Sequence, residues 1–276
     1  MPHTDTTSST LAFIGGGNMA SAIIGGLIKQ GTPAESILVI EPFEEARQRI
    51  EREFKIKTHP TAGPELEKAS LVIWAVKPQV FKEAALQTGR FCKQALHLSV
   101  AAGIRSDSIA QWLRSERVVR AMPNTPALVG LGQTGLFARP AVTPADKQWI
   151  ERIVATTGQH LWVDDETLLD AVTAISGSGP AYVFFFIEAM VEAGVNMGLT
   201  QAQAHQLAVG TFVGASELAR SASEPPAILR ERVTSKGGTT YAAITAMQEA
   251  GISAQFQAAL VAAQQRAAEM GQAFGD

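Results

Sequence analysis

The sequence has few of the features that disulfide-stabilised, nucleic-acid-binding or secreted proteins require. Its single cysteine among 276 residues, Cys92, excludes an intrachain disulfide and fits a reducing compartment, so we interpret it as a structural thiol. The net charge of −3 provides no general basic surface for nucleic acid. The first ten residues are polar, which does not match a signal peptide.

A membrane-spanning segment is not predicted either. The most apolar run, AYVFFFIEAMV, has 11 residues and contains Glu188, whereas a spanning helix needs about 20 apolar residues. Low-complexity linkers and internal repeats are also absent from the sequence. We therefore expect a cytoplasmic protein with neither a membrane anchor nor a nucleic-acid partner.

The residues that are present are typical of a soluble globular protein, with 46% hydrophobic and 18% charged residues. In residues 1–165, short apolar runs alternate with helical stretches, which is typical of a doubly wound parallel sheet. The candidate strands are residues 11–15, 37–41, 71–76, 96–102 and 117–122, followed by 134–139 and 160–164.

After residue 165 the strand pattern stops and helical patterns take over. The candidate helices are residues 166–175, 180–197, 200–221, 225–233, 239–250 and 253–273, with breaks at GSGP, MGLT, SEPP, SKGG and AGIS. We therefore predict an α/β protein, with a Rossmann-type doubly wound sheet in residues 1–165 and an all-helical domain in residues 166–276. The stretch 180–191 is apolar almost all round, which requires complete burial and favours contact with a second subunit.

A dinucleotide-binding motif directly follows the first candidate strand. In LAFIGGGNMA, Gly15 permits a tight turn, Gly17 lets a pyrophosphate approach the backbone, and Ala20 allows close packing of helix on strand. The helix that begins here directs its N-terminal amides at the phosphates. Because strand, helix and glycine spacing agree, we predict binding of NADPH or NADH.

Glu41 ends the second candidate strand, where a carboxylate hydrogen-bonds ribose hydroxyls and repels a 2′-phosphate. That position favours NADH. However, Arg47 and Arg49 are close enough in sequence to attract the phosphate of NADPH. We therefore hypothesise that both cofactors are used.

Three further segments follow strands at the carboxyl edge of the predicted sheet, where ligands of this fold bind. The segment 75–78, AVKP, places Lys77 where a contact with the cofactor is favoured over a free surface cation. The segments 100–103 and 122–126 should line the nicotinamide side, with Asn124 and Thr125 held between two prolines.

The motifs FIGGGNMA, AVKP, RAMPNTPALVG, DAVTAISGSGPAY and TSKGGTT follow one another along the chain. In these motifs, from about Leu11 to near the C-terminus, the sequence resembles the pyrroline-5-carboxylate reductase family. The resemblance implies a Rossmann domain, a helical dimerisation domain, and homodimers that assemble further into a decamer. It also implies reduction of the imine 1-pyrroline-5-carboxylate to L-proline with NAD(P)H, the last step of proline biosynthesis.

The resemblance also implies site residues, none of them a metal ligand. Cofactor contacts are implied for Gly15, Gly16, Gly17, Asn18, Met19, Ala20, Glu41, Ala75, Val76, Lys77, Pro78 and Ala102. Substrate binding is implied for Ser235, Gly237, Gly238, Thr239 and Thr240. Lys236 departs from the family, which usually has proline there, and we interpret its side chain as pointing to solvent.

The TSKGGTTY loop has the chemistry that a small carboxylate needs. In a Ser-x-Gly-Gly turn that runs into a helix, successive backbone amides form an anion-binding site. We interpret Thr240 as the catalytic residue that hydrogen-bonds the ring nitrogen while C5 of the iminium accepts a hydride. The alternative is a plain helix connection in which Thr239 or Thr240 is the cap.

Three other features are given no direct part in the chemistry. We expect SGSGPAY (176–182) to open the apolar helix, with Ser178 or Gly179 as its cap and a proline in its first turn. Glu166 is interpreted as a solvated carboxylate. The five histidines lie outside all the motifs and are interpreted as structural or surface residues.

Two other functions share part of this pattern. A β-hydroxyacid dehydrogenase has the same two-part plan but places a lysine in its helical domain, whereas here the last lysine, Lys236, lies in a loop. A non-catalytic NAD(P)-sensing protein would need no SKGGTT loop. An assay with 1-pyrroline-5-carboxylate, run beside 3-hydroxyisobutyrate and NAD⁺, separates the three functions.

Overall fold

A computed structural model describes residues 10–274, so the polar N-terminal segment lies outside the described residues. Its strands are β1 (Thr10–Ile14), β2 (Ile37–Ile40), β3 (Lys57–His59), β4 (Ala69–Trp74), β5 (Leu96–Ser99), β6 (Val118–Met122), β7 (Gly132–Ala138) and β8 (Gly158–Trp162). They form one sheet in the order β3-β2-β1-β4-β5-β6-β7-β8. Neighbouring strands are parallel, except that β7 runs antiparallel to β6.

Helices cover both faces of this sheet, which confirms the predicted doubly wound α/β fold. They are α1 (Asn18–Lys29), α2 (Glu44–Phe54), α3 (Pro78–Thr88), α4 (Ser106–Leu113) and α5 (Pro144–Val154). Alternate residues of β1 enter two separate cores: Phe13 packs in one and Ala12 in the other. Burial on both faces explains why the strands are near-continuous apolar runs.

The remaining helices are α6 (Leu168–Val172), α7 (Gly179–Asn196), α8 (Gln201–Ser221), α9 (Pro226–Arg232), α10 (Thr239–Glu249) and α11 (Ile252–Ala273). A π-helical turn over Thr173–Gly177 joins α6 to α7. The expected break at GSGP falls at Ser178, a bend between the π-turn and α7, so α7 begins at Gly179, close to the predicted start at residue 180. The expectation that Ser178 or Gly179 caps α7 stays a prediction. The other four predicted breaks fall between helices.

The strands differ from their predicted bounds in ways that affect the site. The candidate strands 71–76 and 96–102 end at Trp74 and Ser99, which leaves the segments after them free to form loops at the carboxyl edge. The strand β3 was not predicted because KTH is short and polar at an edge of the sheet.

Two compact units divide the chain: residues up to Ser178 together with those from Ala263, and residues Gly179–Ala262. The predicted boundary at residue 165 stays a prediction, because a compact unit need not begin where a domain of the sequence begins.

The helix α7 is largely exposed within the single chain, so its expected complete burial, against a second subunit, stays a prediction. Phe185 is 66% exposed, and only Val191 and Gly194 of this helix are buried. Together with α6 and the π-turn, α7 forms a stretch of 29 residues that is long and apolar enough to cross a membrane by length and composition. One such helix is weak evidence, and an exposed apolar face suits a protein partner equally well.

Candidate active site

The turn after β1 requires glycine at its first position. Gly15 has φ of +95°, and a Cβ atom there would lie 2.6 Å from the carbonyl oxygen of Ala75. The N–H of Gly15 donates to the carbonyl of Ile40 at 2.8 Å. The N–H of Ala75 donates to the carbonyl of Ile14, also at 2.8 Å. The predicted cofactor residues Gly15 and Ala75 are therefore in contact at the carboxyl edge of the sheet.

The carboxylate of Glu41 stabilises this turn. Its Oε2 atom accepts a hydrogen bond from the N–H of Gly16 at 2.7 Å, and its Oε1 atom accepts one from the N–H of Phe43 at 2.9 Å. The side chain is buried, with the residue only 7% exposed. The sequence predicted a contact of Glu41 with the ribose but gave no sign of its bond to Gly16. That hydrogen bond joins residues 25 positions apart in the chain.

The three glycines of the turn differ in the space around them. A Cβ atom on Gly16 would lie 2.4 Å from Cδ1 of Ile50, so a side chain here would require the end of Ile50 to shift. A Cβ atom on Gly17 would meet nothing within 4 Å. The space beside the backbone of Gly17 is therefore open, and this is where the pyrophosphate was predicted to approach.

The first turn of α1 has unpaired amides available for an anion. Gly17 is the N-cap and has no side chain to bond them. Asn18 is exposed, Met19 packs partly on the core and Ala20 is fully buried. The predicted close packing at Ala20 is thus present in the fold.

Arg47 and Arg49 place positive charge beside the turn. Nη1 of Arg47 donates to the carbonyl oxygens of Glu41 and Pro42, at 3.0 and 2.7 Å. Nη2 of Arg49 donates to the carbonyl oxygen of Gly16 at 2.8 Å. Each guanidinium group keeps further donors for a ligand.

Two more predicted cofactor segments lie at the carboxyl ends of β4 and β5. Ala75 and Val76 are half-buried, and the exposed Lys77 is the N-cap of α3, with Pro78 in its first turn. Ala102 is half-buried in the turn after β5.

The loop after β6 is connected to the π-turn by Asn124, which is 8% exposed. Nδ2 of Asn124 donates to the carbonyl oxygen of Ser176 at 3.0 Å, and its Oδ1 accepts from the N–H of Gln133 at 2.9 Å. The short 3-10 helix that follows, Thr125–Val129, packs against α1. The polar atoms of Asn124 are thus bonded to backbone groups, a role that the sequence did not indicate.

The predicted substrate loop, between α9 and α10, contains a tight turn. The N–H of Gly238 donates to the carbonyl of Ser235 at 3.0 Å, and Gly237 has φ of +76°. Glycine with positive φ at the third position is typical of a type II turn, in which proline is favoured at the second. That second position is Lys236, which is exposed. The family's proline and this lysine therefore occupy the same turn position.

The start of α10 has no side-chain cap. Its N-cap is Gly238, and no side chain accepts from the first amides. Thr239 and Thr240 are the first two residues of the helix, so the alternative in which one of them is the cap is wrong. Thr239 is exposed and Thr240 is half-buried. The first amides of α10 remain available to an anion.

Glu166 is not a solvated carboxylate. It pairs with the buried Arg120 at 2.6 Å and accepts hydrogen bonds from the N–H and the hydroxyl of Ser106, both at 2.6 Å. These contacts place it at the N-terminus of α4, in a structural network.

Cys92 and His97 are chemically inert in the fold. Burial raises the pKa of the Cys92 thiol to about 12, which keeps it protonated and unreactive. Burial and the nearby charge of Arg117 lower the pKa of His97 to about 4. Both observations agree with the structural roles expected from the sequence. Among residues 10–274, no cluster of three or more acidic, histidine or cysteine side chains is arranged to hold a metal ion.

Comparison with known proteins identifies relatives of both parts of the chain. The family model "NADP oxidoreductase coenzyme F420-dependent" matches residues 10–103, and the model "Pyrroline-5-carboxylate reductase dimerisation" matches residues 166–270. Pyrroline-5-carboxylate reductase of Pseudomonas aeruginosa is 43% identical, covering 96% of this chain and 98% of the relative. That of Haemophilus influenzae is 41% identical, covering 94% and 97%.

Solved structures give the same result. Pyrroline-5-carboxylate reductase of Coxiella burnetii matches with a TM-score of 0.90 and 36% identity, covering 96% of this chain and 99% of that one. The Plasmodium falciparum enzyme, solved with NADP bound, matches with a TM-score of 0.84 and 26% identity, covering 95% and 98%. Since identity of this level extends over nearly the full length of both chains, this protein belongs to the pyrroline-5-carboxylate reductase family.

Proposed function

We propose that this protein reduces 1-pyrroline-5-carboxylate to L-proline with NADPH or NADH, the last step of proline biosynthesis. The observation that carries the proposal is the similarity to reductases of that name over 96% of the chain, in fold as well as in sequence. The site geometry supports the proposal in each of the two units separately.

The glycine turn fits a dinucleotide in three respects. The backbone at Gly15 is too close to Ala75 for any side chain, the space above Gly17 is open, and the first amides of α1 are uncapped. Residues Gly15, Gly16, Gly17, Asn18, Met19 and Ala20 would hold the pyrophosphate. The bound cofactor supplies the hydride.

The loop after β2 would bind the adenosine ribose. Glu41 fixes the turn through the Gly16 amide, and Arg47 and Arg49 add positive charge next to it. A carboxylate engaged by backbone amides repels a 2′-phosphate less than a free one does, which supports use of both cofactors. Comparing the KM values for NADPH and NADH tests this, and a value for NADPH far below that for NADH would contradict it.

The edge loops would confine the rest of the cofactor. Residues Ala75, Val76, Lys77 and Pro78 follow β4, and Ala102 follows β5, at the edge where ligands of this fold bind. The exposed Lys77 is free to approach a phosphate, since it caps α3 through its backbone only.

The loop between α9 and α10 would hold the substrate carboxylate. Ser235, Gly237 and Gly238 form a tight turn, and the uncapped amides of Thr239 and Thr240 follow at the start of α10. A helix N-terminus with free amides is a ready site for a carboxylate.

Thr240 would position the ring nitrogen of the substrate. Its hydroxyl is half-buried and neutral, so it orients the ring and accepts or relays a proton without supplying strong acidity. Protonation of the imine nitrogen makes C5 electrophilic, and binding in one orientation lowers the entropic barrier to hydride addition.

The helical segment forms the oligomer in this proposal. The match to a dimerisation model and the exposed apolar face of α7 support a homodimer, which assembles further into a decamer. Contact with a second subunit would cover this face without a membrane, and we propose a cytoplasmic location. Sedimentation velocity of the purified protein at micromolar concentration tests the assembly, and a monomer would contradict it.

A spectrophotometric assay tests the activity directly. Purified protein should oxidise NADPH or NADH only when 1-pyrroline-5-carboxylate is added, with L-proline as the product. The control reaction contains 3-hydroxyisobutyrate and NAD⁺ and should show no reduction of NAD⁺. Cofactor binding without turnover of 1-pyrroline-5-carboxylate would overturn the proposed function.

A further inference from the structure

The carbonyl oxygen of Ser176 has no α-helical donor at the residue four positions later. In an α-helix this oxygen would accept from the N–H four residues later, but that residue is Pro180, which has none. Nδ2 of Asn124 donates to the oxygen instead, at 3.0 Å. The loop after β6 therefore supplies a donor to a carbonyl that Pro180 cannot bond.

The π-turn has its own internal hydrogen bond and also packs closely on Met122, the last residue of β6. The N–H of Ser178 donates to the carbonyl of Thr173, five residues back, at 2.8 Å. Gly177 lies in this turn, and a Cβ atom there would come within 2.5 Å of Cε of Met122. Glycine thus allows the turn to pack closely beside the residue that ends β6. Single π-turns within helices frequently occur at functional sites.

The same side chain also fixes the far end of the loop. Oδ1 of Asn124 accepts from the N–H of Gln133, at the start of β7, at 2.9 Å. One buried amide therefore bonds both to the π-turn and across the loop 123–131. This loop packs against α1, the helix that begins at the glycine turn. A shift of the loop would therefore reach the wall of the cofactor site.

We infer that Asn124 is a positioning residue for the reduction, an inference that rests on the proposed function. It holds the loop 123–131 against α1, and so fixes the surface that faces the reacting end of the cofactor. Its own polar atoms are bonded to backbone groups, so it acts through the loop. Misplacement of reacting groups by about 1 Å can cost on the order of 100-fold in rate. The two hydrogen bonds of Asn124 go to Ser176 and Gln133, not to the glycine turn, so we expect the proposed phosphate contacts there to change little.

The substitution Asn124→Asp tests the inference with little change of shape. It keeps an acceptor for the N–H of Gln133, but it replaces the donor to Ser176 by a negative oxygen. We expect kcat to fall roughly 10-fold to 100-fold, while the KM for NADPH changes by less than about 3-fold. Wild-type kcat in a folded Asn124→Asp protein would overturn the inference.

Replacing the proline separates positioning from stability. Pro180→Ala supplies an N–H four residues after Ser176, at the position from which an α-helical bond to its carbonyl would form. In Asn124→Ala/Pro180→Ala, we expect recovery of part of the Tm lost in Asn124→Ala, since the N–H of Gln133 still lacks its acceptor. We expect kcat to stay low because the loop is still detached. Recovery of kcat together with the Tm would show a purely structural role and overturn the inference.

Two controls complete the experiment. Gln255→Ala removes a similar bond, from a side-chain amide to the carbonyl of Ala250, and should leave kcat unchanged. Hydrogen exchange at the N–H of Gln133 should be slow in wild type and Asn124→Asp but fast in Asn124→Ala, whatever the activity.

If wild type does not reduce 1-pyrroline-5-carboxylate, the proposed function fails. If wild type is active and Asn124→Asp is equally active, only the inference fails. If Asn124→Ala does not fold, the kcat of Asn124→Asp by itself decides whether the inference holds.

Discussion

The carboxylate of Glu41 accepts a hydrogen bond from the N–H of Gly16 at 2.7 Å, so the acidic residue after β2 is bonded to the glycine turn where we propose that the cofactor binds. Its second carboxylate oxygen accepts a hydrogen bond from the N–H of Phe43. The side chain therefore supports the shape of the site, whichever cofactor is bound.

Glu41→Gln should weaken the binding of NADPH and of NADH by similar factors. A glutamine oxygen can accept only one of the two N–H groups well, and the other buried amide then costs about 1–3 kcal/mol. We expect the KM values for NADPH and NADH to rise by similar factors, about 10-fold. Steady-state kinetics with each cofactor check this. A rise confined to NADH would instead show that Glu41 acts on the ribose alone.

Gly17→Ala should impair binding without unfolding the protein. A Cβ atom there meets no neighbour within 4 Å, and φ of −74° suits alanine. The methyl group would occupy the space that the pyrophosphate needs, so we expect an unchanged Tm and a KM for NADPH raised at least about 10-fold. The matched variant Gly15→Ala should lose stability, because its backbone has positive φ and touches Ala75. Normal binding in Gly17→Ala would contradict the predicted phosphate position.

Lys236→Pro should stabilise the protein. Lys236 is at the second position of the turn Ser235–Gly238, and among residues 10–274 no hydrogen bond from its N–H is observed. Proline there lowers the entropy of the unfolded chain, which is worth about 0.4–1 kcal/mol. Thermal unfolding beside Lys236→Ala checks the prediction. A lower Tm for the proline variant would show that the backbone at 236 does not have the φ that proline requires.

Thr240→Ala should reduce turnover more than binding. Loss of the hydroxyl would remove the proposed hydrogen bond to the ring nitrogen, and we expect kcat to fall about 10-fold to 100-fold, by analogy with losing acid–base assistance. Thr240→Ser keeps a hydroxyl and should retain most of the activity. Kinetics with varied 1-pyrroline-5-carboxylate separate kcat from KM. Unchanged kinetics in Thr240→Ala would remove this residue from the mechanism.

Protonation of His97 should make the fold less stable in acid. The imidazole is 1% exposed, its Nδ1 accepts from Nε1 of Trp74 at 3.2 Å, and its pKa is lowered from 6.5 to about 4. The unfolded chain binds the proton first. Stability is therefore full above about pH 6.5 and is lost as the pH falls toward 4, by about 3 kcal/mol in total.

Urea unfolding of wild type and His97→Gln at pH 7 and pH 5, at one protein concentration, measures this loss. The free energy of unfolding should fall by about 2 kcal/mol more in wild type than in the variant. His205→Gln, which replaces an exposed histidine of α8, should behave like wild type. Equal losses in wild type and His97→Gln would contradict the assignment to His97.

Local patterns in the sequence were enough for most of the fold. Continuous apolar runs identify strands buried on both faces, and glycine and proline mark most helix ends, because both signals depend on a few neighbouring residues. The glycine turn and the turn at Ser235–Gly238 are local in the same sense. Their sequences predict tight backbone turns, and the structure has them.

Contacts between distant residues were decided only by the tertiary structure. The bond from Gly16 to Glu41 spans 25 residues, and that from Asn124 to Ser176 spans 52. Glu166, likewise, looked solvated but pairs with Arg120. In each case a polar side chain satisfies a backbone group or a charge that burial has removed from water, and no pattern in the sequence indicates which partner will be near. The sequence by itself determined the elements, the family and the turns, while the folded chain decided which polar groups hold the site in shape.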